Sequence, residues 1–293
     1  MLDIKPHENA FVDDMEQHLL SSETGERMNE ALLRQELMAV NLVGRTFCCL
    51  EETGSTNDDG KQLVFDGEAT DGMVILADSQ TAGRGRMDRL FQSPAEKGIY
   101  LTTLLRPQLS PEKLICVTAM AGVAICDAVE ELSGVRPGVK WPNDPILNGK
   151  KLGGILTEMI IEPESGRPWV ILGIGLNVKQ TDFTPDVAEI ATSLEAEGIV
   201  VSREQAAAAL IRALDRMYAA LIAGETEQYL AAYRRDCVNL GKPVRMISGE
   251  QWESAEAIGV DEQFGLVVRL ADGRSRIVRS GEVSVRGLYG YAE

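Results

Sequence analysis

The central part of the chain most constrains the fold, because strand-like and helix-like segments follow one another there with short connections. Residues 152–161 and 169–178 are predicted strands joined by a turn at 163–166, and the Asn148-Gly149 pair before them is a strong hairpin signal. Residues 114–132 are apolar on nearly all faces, which is typical of a buried helix, and Ser202 with Gln205 forms a capping-box pattern ahead of a long alanine-rich helix. Antiparallel strands with interspersed helices predict an α+β fold rather than a doubly wound one.

The two ends of the chain differ in texture from this central part. After Asn239, short β-type runs are punctuated by glycines, which predicts a small antiparallel barrel. Residues 1–30 hold eight acidic and two basic residues, which predicts a solvated leader with a helix at about 26–38. The predicted division is an acidic N-terminal leader (1–43), a central domain (44–239) and a C-terminal barrel (240–293).

Composition and charge exclude several classes of protein. The longest nearly uncharged apolar run, residues 114–126, is shorter than the roughly 18 to 20 residues that span a bilayer. The first ten residues carry charge and a proline where a signal peptide needs an apolar stretch, so a cytoplasmic protein is expected. A formal net charge of −16 disfavours nucleic acid as the main partner, because it repels phosphates.

The cysteines and histidines offer little chemistry. The five cysteines include no Cys-x-x-Cys pair, and the two histidines, His7 and His18, both lie in the acidic leader. This disfavours a disulfide framework, a zinc site and a catalytic Ser-His-Asp or Cys-His pair. Any chemistry is therefore expected from lysine, arginine, aspartate, glutamate or a backbone cradle.

The segment 80–90 concentrates three arginines with two interleaved glycines, although the chain as a whole is acidic. Glycines let the backbone approach a ligand closely, and arginines close around phosphate or carboxylate through bidentate hydrogen bonds. The pattern predicts an anion-binding loop. An ordinary solvated basic loop remains an equally good interpretation at this point.

A second concentration of polar residues surrounds the predicted hairpin. Lys150 and Lys151 are neighbours on a strand and must point to opposite faces, so one of them is expected to face inwards and to need an anionic partner. The Gly153-Gly154 pair is typical of a site where a ligand approaches the backbone. Residues 173–177, Gly-Ile-Gly-Leu-Asn, repeat this theme in an apolar strand. The alternatives are a surface hairpin for the first motif and tight packing beneath the long helix for the second.

These motifs also carry a family resemblance. They are Gly-Ser-Thr-Asn at 54–57, Gln80 with Gly-Arg-Gly-Arg at 83–86, Lys-Trp-Pro-Asn-Asp at 140–144 with Lys151, Gly-Ile-Gly-Leu-Asn at 173–177 and Ala-Thr-Ser-Leu at 191–194. In this order, and with a tail similar to an SH3-like barrel, they resemble the biotin protein ligases from about residue 44 to 288. The resemblance implies a catalytic domain similar to class II synthetases at 44–239, with a mixed, largely antiparallel sheet flanked by helices.

The resemblance implies a reaction and its reactants. Biotin protein ligases activate biotin with Mg-ATP to biotinyl-5′-AMP and transfer the biotinyl group to one lysine of a biotin carboxyl carrier domain of a carboxylase. ATP and biotin are then substrates and Mg²⁺ is the metal. No histidine is needed. A homodimer is compatible with the resemblance, whereas nucleic acid and membrane are not expected partners.

The resemblance also implies site residues, which are carried over by motif. Lys151 and Arg86 are expected to be catalytic, and Asp144 is the metal candidate. Biotin contacts are expected from Ser55, Thr56, Asn57, Gln80, Arg84, Gly85, Arg86, Lys151, Gly154, Gly173 and Gly175. ATP contacts are expected from Arg84, Arg86, Arg89, Asn143, Asn177 and Arg286.

Two departures from the family pattern, and two rival interpretations, accompany this resemblance. Asp88 subtracts charge from the loop, which bears on nucleotide affinity rather than on reaction type. The acidic leader lacks a β wing and its charge opposes phosphate contact, so a ligase without a winged helix–turn–helix repressor domain is expected. The rivals are a lipoate or octanoate ligase, which the Gly-Arg-Gly-Arg loop and the tail disfavour, and a non-catalytic biotin-binding relative.

Overall fold

The computed structural model describes residues 27–162, 164–248, 251–279 and 284–287. The first helix, α1 (Glu30–Glu36), is capped by the Asn29 side chain, which accepts a hydrogen bond from the amide of Leu32. It lies inside the predicted helix at 26–38. Most of the predicted leader, residues 1–26, falls outside the described residues.

The main sheet begins with a parallel pair of strands connected by a helix. Strand β1 (Phe47–Thr53) pairs in parallel with β2 (Met73–Gln80), and α2 (Thr56–Phe65) connects them. Strand β3 (Gly98–Leu105), which is buried along its whole length, then pairs antiparallel with β2. Ser55 has an extended backbone and directly precedes α2, so the polar residues at the start of α2 lie at one end of the sheet.

The apolar stretch predicted as one helix at 114–132 forms two. The short helix α3 (Pro111–Leu114) ends before α4 (Val117–Ser133), which is buried on most faces and ends at left-handed Gly134. Strands β4 (Gly138–Lys140), β5 (Asp144–Leu147) and β6 (Lys150–Lys151) form a separate antiparallel sheet. The predicted hairpin at Asn148-Gly149 joins β5 to β6, and both of its residues have positive φ.

The predicted strands at 152–161 and 169–178 complete the main sheet. Strands β7 (Gly153–Ile161) and β8 (Pro168–Asn177) pair antiparallel, and the order across the sheet is β1-β2-β3-β8-β7. The short helix α5 (Pro185–Ala188) follows, then α6 (Arg203–Ala223) and α7 (Glu227–Asp236). Helix α6 begins with the predicted Ser202–Gln205 capping box and packs on α4. The α+β prediction is confirmed.

The C-terminal part forms a second antiparallel sheet, as predicted from its glycine spacing. Its strands, in the order β12-β11-β10-β9-β13, are β9 (Pro243–Ser248), β10 (Gln251–Val260), β11 (Leu266–Leu270), β12 (Ser275–Val278) and β13 (Ser284–Gly287). Closure of these strands into a barrel stays a prediction. The Trp141 indole donates a hydrogen bond to the Phe264 carbonyl, and buried side chains of both parts form one apolar cluster. The domain boundary at 239/240 likewise remains a prediction.

Candidate functional site

A cleft of about 750 Å³ lies between the main sheet, the small sheet and the segment 84–92. Fifteen of the sixteen predicted site residues line it: Ser55, Thr56, Asn57, Gln80, Arg84, Gly85, Arg86, Arg89, Asn143, Asp144, Lys151, Gly154, Gly173, Gly175 and Asn177. The remaining one, Arg286, lies on β13 opposite Arg245 of β9, and its side chain falls outside the description.

One part of the cleft wall is a hydrogen-bonded network at the start of α2. The Gln80 side-chain oxygen accepts hydrogen bonds from the amide and the hydroxyl of Thr56, at 3.0 and 3.2 Å. The Gln80 amide nitrogen donates to the Ser93 hydroxyl at 2.9 Å. Both ends of the Gln80 amide are therefore oriented by the protein before any ligand binds.

Asn57 is fixed in the same way, although from the neighbouring strands. Its side-chain oxygen lies 2.6 Å from the Thr102 hydroxyl, and its amide nitrogen donates to Glu158 at 2.8 Å. Lys61 in turn holds Glu158 at 2.6 Å. A buried polar network of this kind specifies one arrangement of its members, so Asn57 is a preorganised part of the wall.

The strand glycines make room for these side chains. A Cβ added at Gly173 would lie 2.2 Å from the Asn57 side-chain oxygen, and one added at Gly175 would lie 2.3 Å from the Phe91 ring. Residues two apart on a strand share a face, and for these two that face is the one towards the cleft. A Cβ added at Gly154, which pairs with Gly175, would lie 3.5 Å from the Lys151 side chain, in ordinary contact with it. The close approach predicted at these glycines is therefore to cleft-lining groups, rather than to the long helix.

The glycine- and arginine-rich segment folds back on itself across the cleft. The amide of Gly85 donates to the Arg89 carbonyl at 2.7 Å, and that of Phe91 donates to the Gly83 carbonyl at 2.9 Å. The Arg86 guanidinium donates to the Asn143 side chain at 3.2 Å, which joins the segment to the small sheet. Burial lowers the pKa of Arg86, and the nearby Asp144 opposes that effect. A desolvated cation at this position is suited to an anionic ligand.

The two adjacent lysines are separated as the strand geometry predicts. Lys151 lines the cleft and its ammonium lies 2.7 Å from Asp144, whereas the Lys150 ammonium donates to the Ala188 carbonyl at 3.0 Å. Lys151 is therefore the inward-facing member of the pair. The Asn177 side chain, also at the cleft, donates to the Thr192 carbonyl at 2.9 Å.

Sequence reasoning missed several residues that build the site. Asp58, Ser93, Thr102 and Glu158 hold predicted site residues in place, and the buried Lys140 lines the cleft itself. The polar Thr102 inside an apolar strand and Asp58 directly after the Gly-Ser-Thr-Asn motif are the signals that could have identified two of them.

Comparison with known proteins agrees with this fold. Residues 50–177 match the model of the Biotin/lipoate A/B protein ligase family, and residues 240–286 match that of the Biotin protein ligase C terminal domain. The chain is 34% identical to a biotin–[acetyl-CoA-carboxylase] ligase of Mycobacterium tuberculosis over 266 residues, 87% of this chain and 95% of that protein. It is 31% identical over 248 residues to the bifunctional ligase/repressor BirA of Bacillus subtilis, covering 84% of this chain and 74% of that protein.

A solved structure shows the same architecture. The biotin protein ligase from Aquifex aeolicus in complex with biotin and ATP superposes with a TM-score of 0.71 at 25% identity, over 83% of this chain and 99% of that one. The fold, the cleft and the first family model define a ligase of the biotin/lipoate class. With the C-terminal match and the relatives above 30% identity, the chain belongs to the biotin protein ligase family. Its function is that of a biotin ligase, and nothing in these comparisons favours the lipoate or the non-catalytic interpretation.

Proposed function

We propose that the cleft binds biotin and ATP side by side and carries out both half-reactions of protein biotinylation. A biotin carboxylate oxygen attacks the α-phosphorus of ATP, so that pyrophosphate leaves and biotinyl-5′-AMP forms. A lysine amine of the carrier domain then attacks the acyl carbon, and AMP leaves. The observation that carries the proposal is the meeting of an oriented amide and hydroxyl wall with Arg86 and Lys151 in one cleft.

The polar wall is suited to the ureido ring of biotin. Ser55, Thr56 and Gln80 supply hydroxyl and amide groups there, and the hydrogen bonds to Thr56 and Ser93 fix which way the Gln80 amide points. Asn57 is held beside them by Glu158. Donors and acceptors that are already oriented cost little reorganisation when a ligand binds.

The cations are suited to the reacting groups. Arg86 and Lys151 line the same cleft as the polar wall. Lys151 forms an ion pair with Asp144, and Arg86 interacts electrostatically with the same carboxylate. Two cations there bring a carboxylate and a phosphate together and stabilise the charge that develops between them. Gly154 lies beside the Lys151 side chain, and Gly85 lines the cleft next to Arg86. These glycines leave room for a ligand and expose backbone groups to it, but they add no charge.

The nucleotide side of the site is proposed at the small sheet. Asn143 lines the cleft there, Asn177 lines it from the end of β8 and Arg89 from the segment 84–92, and Arg286 of β13 is the further residue carried over by motif. Asp144 is the one carboxylate among the described cleft-lining residues. Mg²⁺ is typically held by one or two carboxylates together with substrate phosphates and waters, so Asp144 fits that ion. The ion would neutralise phosphate charge when bound.

The protein partner we propose is a biotin carboxyl carrier domain of a carboxylase. Strands β1 and β7 are the outer strands of the main sheet, so each leaves an edge that can pair with another chain. A carrier and a second copy of this chain would then compete for such an edge. The acidic charge argues against specific DNA binding, and no described helix is both long and apolar enough to span a membrane.

The test of the reaction is incubation with labelled biotin, ATP and a carrier domain, with lipoate and octanoate in parallel. Label transfer from biotin alone supports the proposal, and transfer of lipoate or octanoate contradicts it. The partner is tested by repeating carrier biotinylation over a range of enzyme concentrations, beside a gel shift with biotin-operon DNA. A salt-sensitive, sequence-specific shift would overturn the proposed absence of DNA binding.

A further inference from the structure

The Arg84 side chain pairs with the protein itself on the rim of the cleft. Its two terminal nitrogens donate to the two carboxylate oxygens of Asp58, at 2.8 and 2.5 Å. This is the bidentate arrangement that fixes a guanidinium in direction as well as in distance. Arg84, which the family pattern assigns to biotin and ATP, is thus directed towards α2.

Asp58 is a well-supported anchor for such a contact. It lies in the first turn of α2, where a carboxylate is favoured by the helix dipole, and it immediately follows the polar residues of the cleft wall. The Lys61 ammonium lies 3.2 Å from Asp58 and 2.6 Å from Glu158, and Glu158 also holds Asn57. The hydrogen bond from Arg84 lowers the pKa of Asp58, so its carboxylate stays ionised at neutral pH.

The two arginines attach the segment to opposite sides of the cleft. Arg84 holds it to α2, and Arg86 holds it to Asn143 at the small sheet. Beyond Arg86 the apolar side chains of the segment are exposed, Met87 by 62% and Leu90 by 73%. Side chains so exposed contribute little packing, so polar contacts at its base matter for keeping the segment over the cleft.

We propose that Asp58 is a positioning residue that acts through Arg84, holding the segment 84–90 across the cleft so that Arg86 faces the reacting groups. The role assigned to Asp58 rests on the proposed function. In this arrangement the two arginines have different roles: Arg84 holds the segment to the biotin side of the cleft, and Arg86 contacts the anionic groups of the reactants. Loss of the contact is expected to expose the segment and to let the adenylate escape before transfer.

The experiment compares Asp58→Asn, Arg84→Gln and the double variant in the full chain. Trypsin cleavage after Arg86 and Arg89, followed by mass spectrometry without ligands, reports how open the segment is. Release of biotinyl-5′-AMP formed from labelled biotin reports retention. For a half-exposed pair, each single variant is expected to raise both rates about two- to fivefold. The double variant is expected to equal a single one, because the two residues act as one contact.

Two further variants separate positioning from a general loss of structure. Asp59→Asn removes one negative charge from the same helix turn, where its carboxylate contacts Thr53 rather than Arg84, and is expected to leave both rates unchanged. Asp58→Glu retains the charge and is expected to restore a large part of the retention. A rise in both rates of equal size with Asp59→Asn would overturn the proposal.

In the alternative, Asp58 only keeps Arg84 away from the substrate, and the two single variants then change the KM in opposite directions. Asp58→Asn would then free Arg84 and lower the KM for biotin or ATP, whereas Arg84→Gln would raise it. That result, an additive double variant, or cleavage of Asp58→Asn at the parent rate would each overturn the positioning role. If the parent forms no adenylate, the proposed function fails, and the cleavage measurements still decide whether Asp58 holds the segment.

Discussion

Replacement of Lys151 by alanine gives the sharpest test of the proposed chemistry. At about 4 Å and an effective dielectric of about 20, a cation and a phosphate oxygen interact by about 4 kcal/mol. The Lys151 side chain is 28% exposed, so solvent reduces this value. We therefore expect Lys151→Ala to slow adenylate formation by about 10² to 10³, the range observed when one charge-stabilising donor is removed.

The same substitution is expected to affect stability only slightly. Lys151 lies on a two-residue strand and pairs with Asp144; both side chains are mostly buried, so loss of the pair is expected to cost about 1 kcal/mol, more than an exposed pair usually contributes. Asp144 also retains Arg86 as a cationic neighbour. For a chain of this size the expected fall in Tm is at most about 4 °C.

Lys150 provides the matched control, since it is the same residue type one position earlier and its ammonium contacts a carbonyl outside the cleft. The assay is biotin-dependent exchange of pyrophosphate into ATP, with thermal unfolding of each variant measured in parallel. Near-normal exchange in Lys151→Ala would remove Lys151 from the site. An equal loss in Lys150→Ala would show that the effect is not specific to the inward-facing lysine.

Three further predictions concern the cleft and the fold. Trypsin cleavage in the segment 81–89 is expected to be faster without ligands than with biotin and ATP, because the Asp58 contact alone holds the segment less firmly than bound reactants do, and equal cleavage would refute this ordering. Gly173→Ala places a Cβ 2.2 Å from the Asn57 side-chain oxygen, so the KM for biotin in pyrophosphate exchange is expected to rise about tenfold or more, and an unchanged KM would contradict the close contact. Burial alone would raise the pKa of Asp236, but hydrogen bonds from Arg235 and Arg136 outweigh it and hold the pKa below its ordinary value. That contribution to stability is fully present above the ordinary aspartate pKa of about 4 and is lost as the pH falls through the lowered pKa. Urea unfolding should therefore show a parent–Asp236→Asn difference that shrinks at low pH, and a constant difference would refute it.

Short sequence motifs predicted those elements whose stabilising contacts lie within a few residues along the chain. The Ser202–Gln205 capping box and the Asn148-Gly149 turn both form as predicted, because each is satisfied by residues within a few positions. The prediction of a single helix at 114–132 was wrong, because the hydrophobicity of this stretch does not show where the backbone turns between α3 and α4.

Contacts that depend on sheet register could not be predicted from the sequence. Glu158 reaches Asn57 only because α2 packs against β8 and β8 pairs with β7, although the two residues are 101 positions apart. The Asp58–Arg84 contact likewise joins a helix start to a segment 26 positions later. The family pattern therefore identified which residues meet at the cleft, whereas the partners that orient them became visible only in three dimensions.

The charge distribution explains how an acidic protein can use an anionic nucleotide. The net charge is −16, yet the described cleft-lining residues include one carboxylate, Asp144, and five basic residues: Arg84, Arg86, Arg89, Lys140 and Lys151. A cleft lined by one sign of charge concentrates ligands of the opposite sign, even where the remaining surface repels them. Asp58 pairs with Arg84 at the rim, and Asp144 pairs with Lys151 inside the cleft. Each carboxylate fixes the position of one cation, and basic residues still outnumber acidic ones in the cleft. We propose that the remaining acidic surface repels extended polyanions, so that a small nucleotide can enter the positive cleft whereas a nucleic-acid backbone is kept away from it.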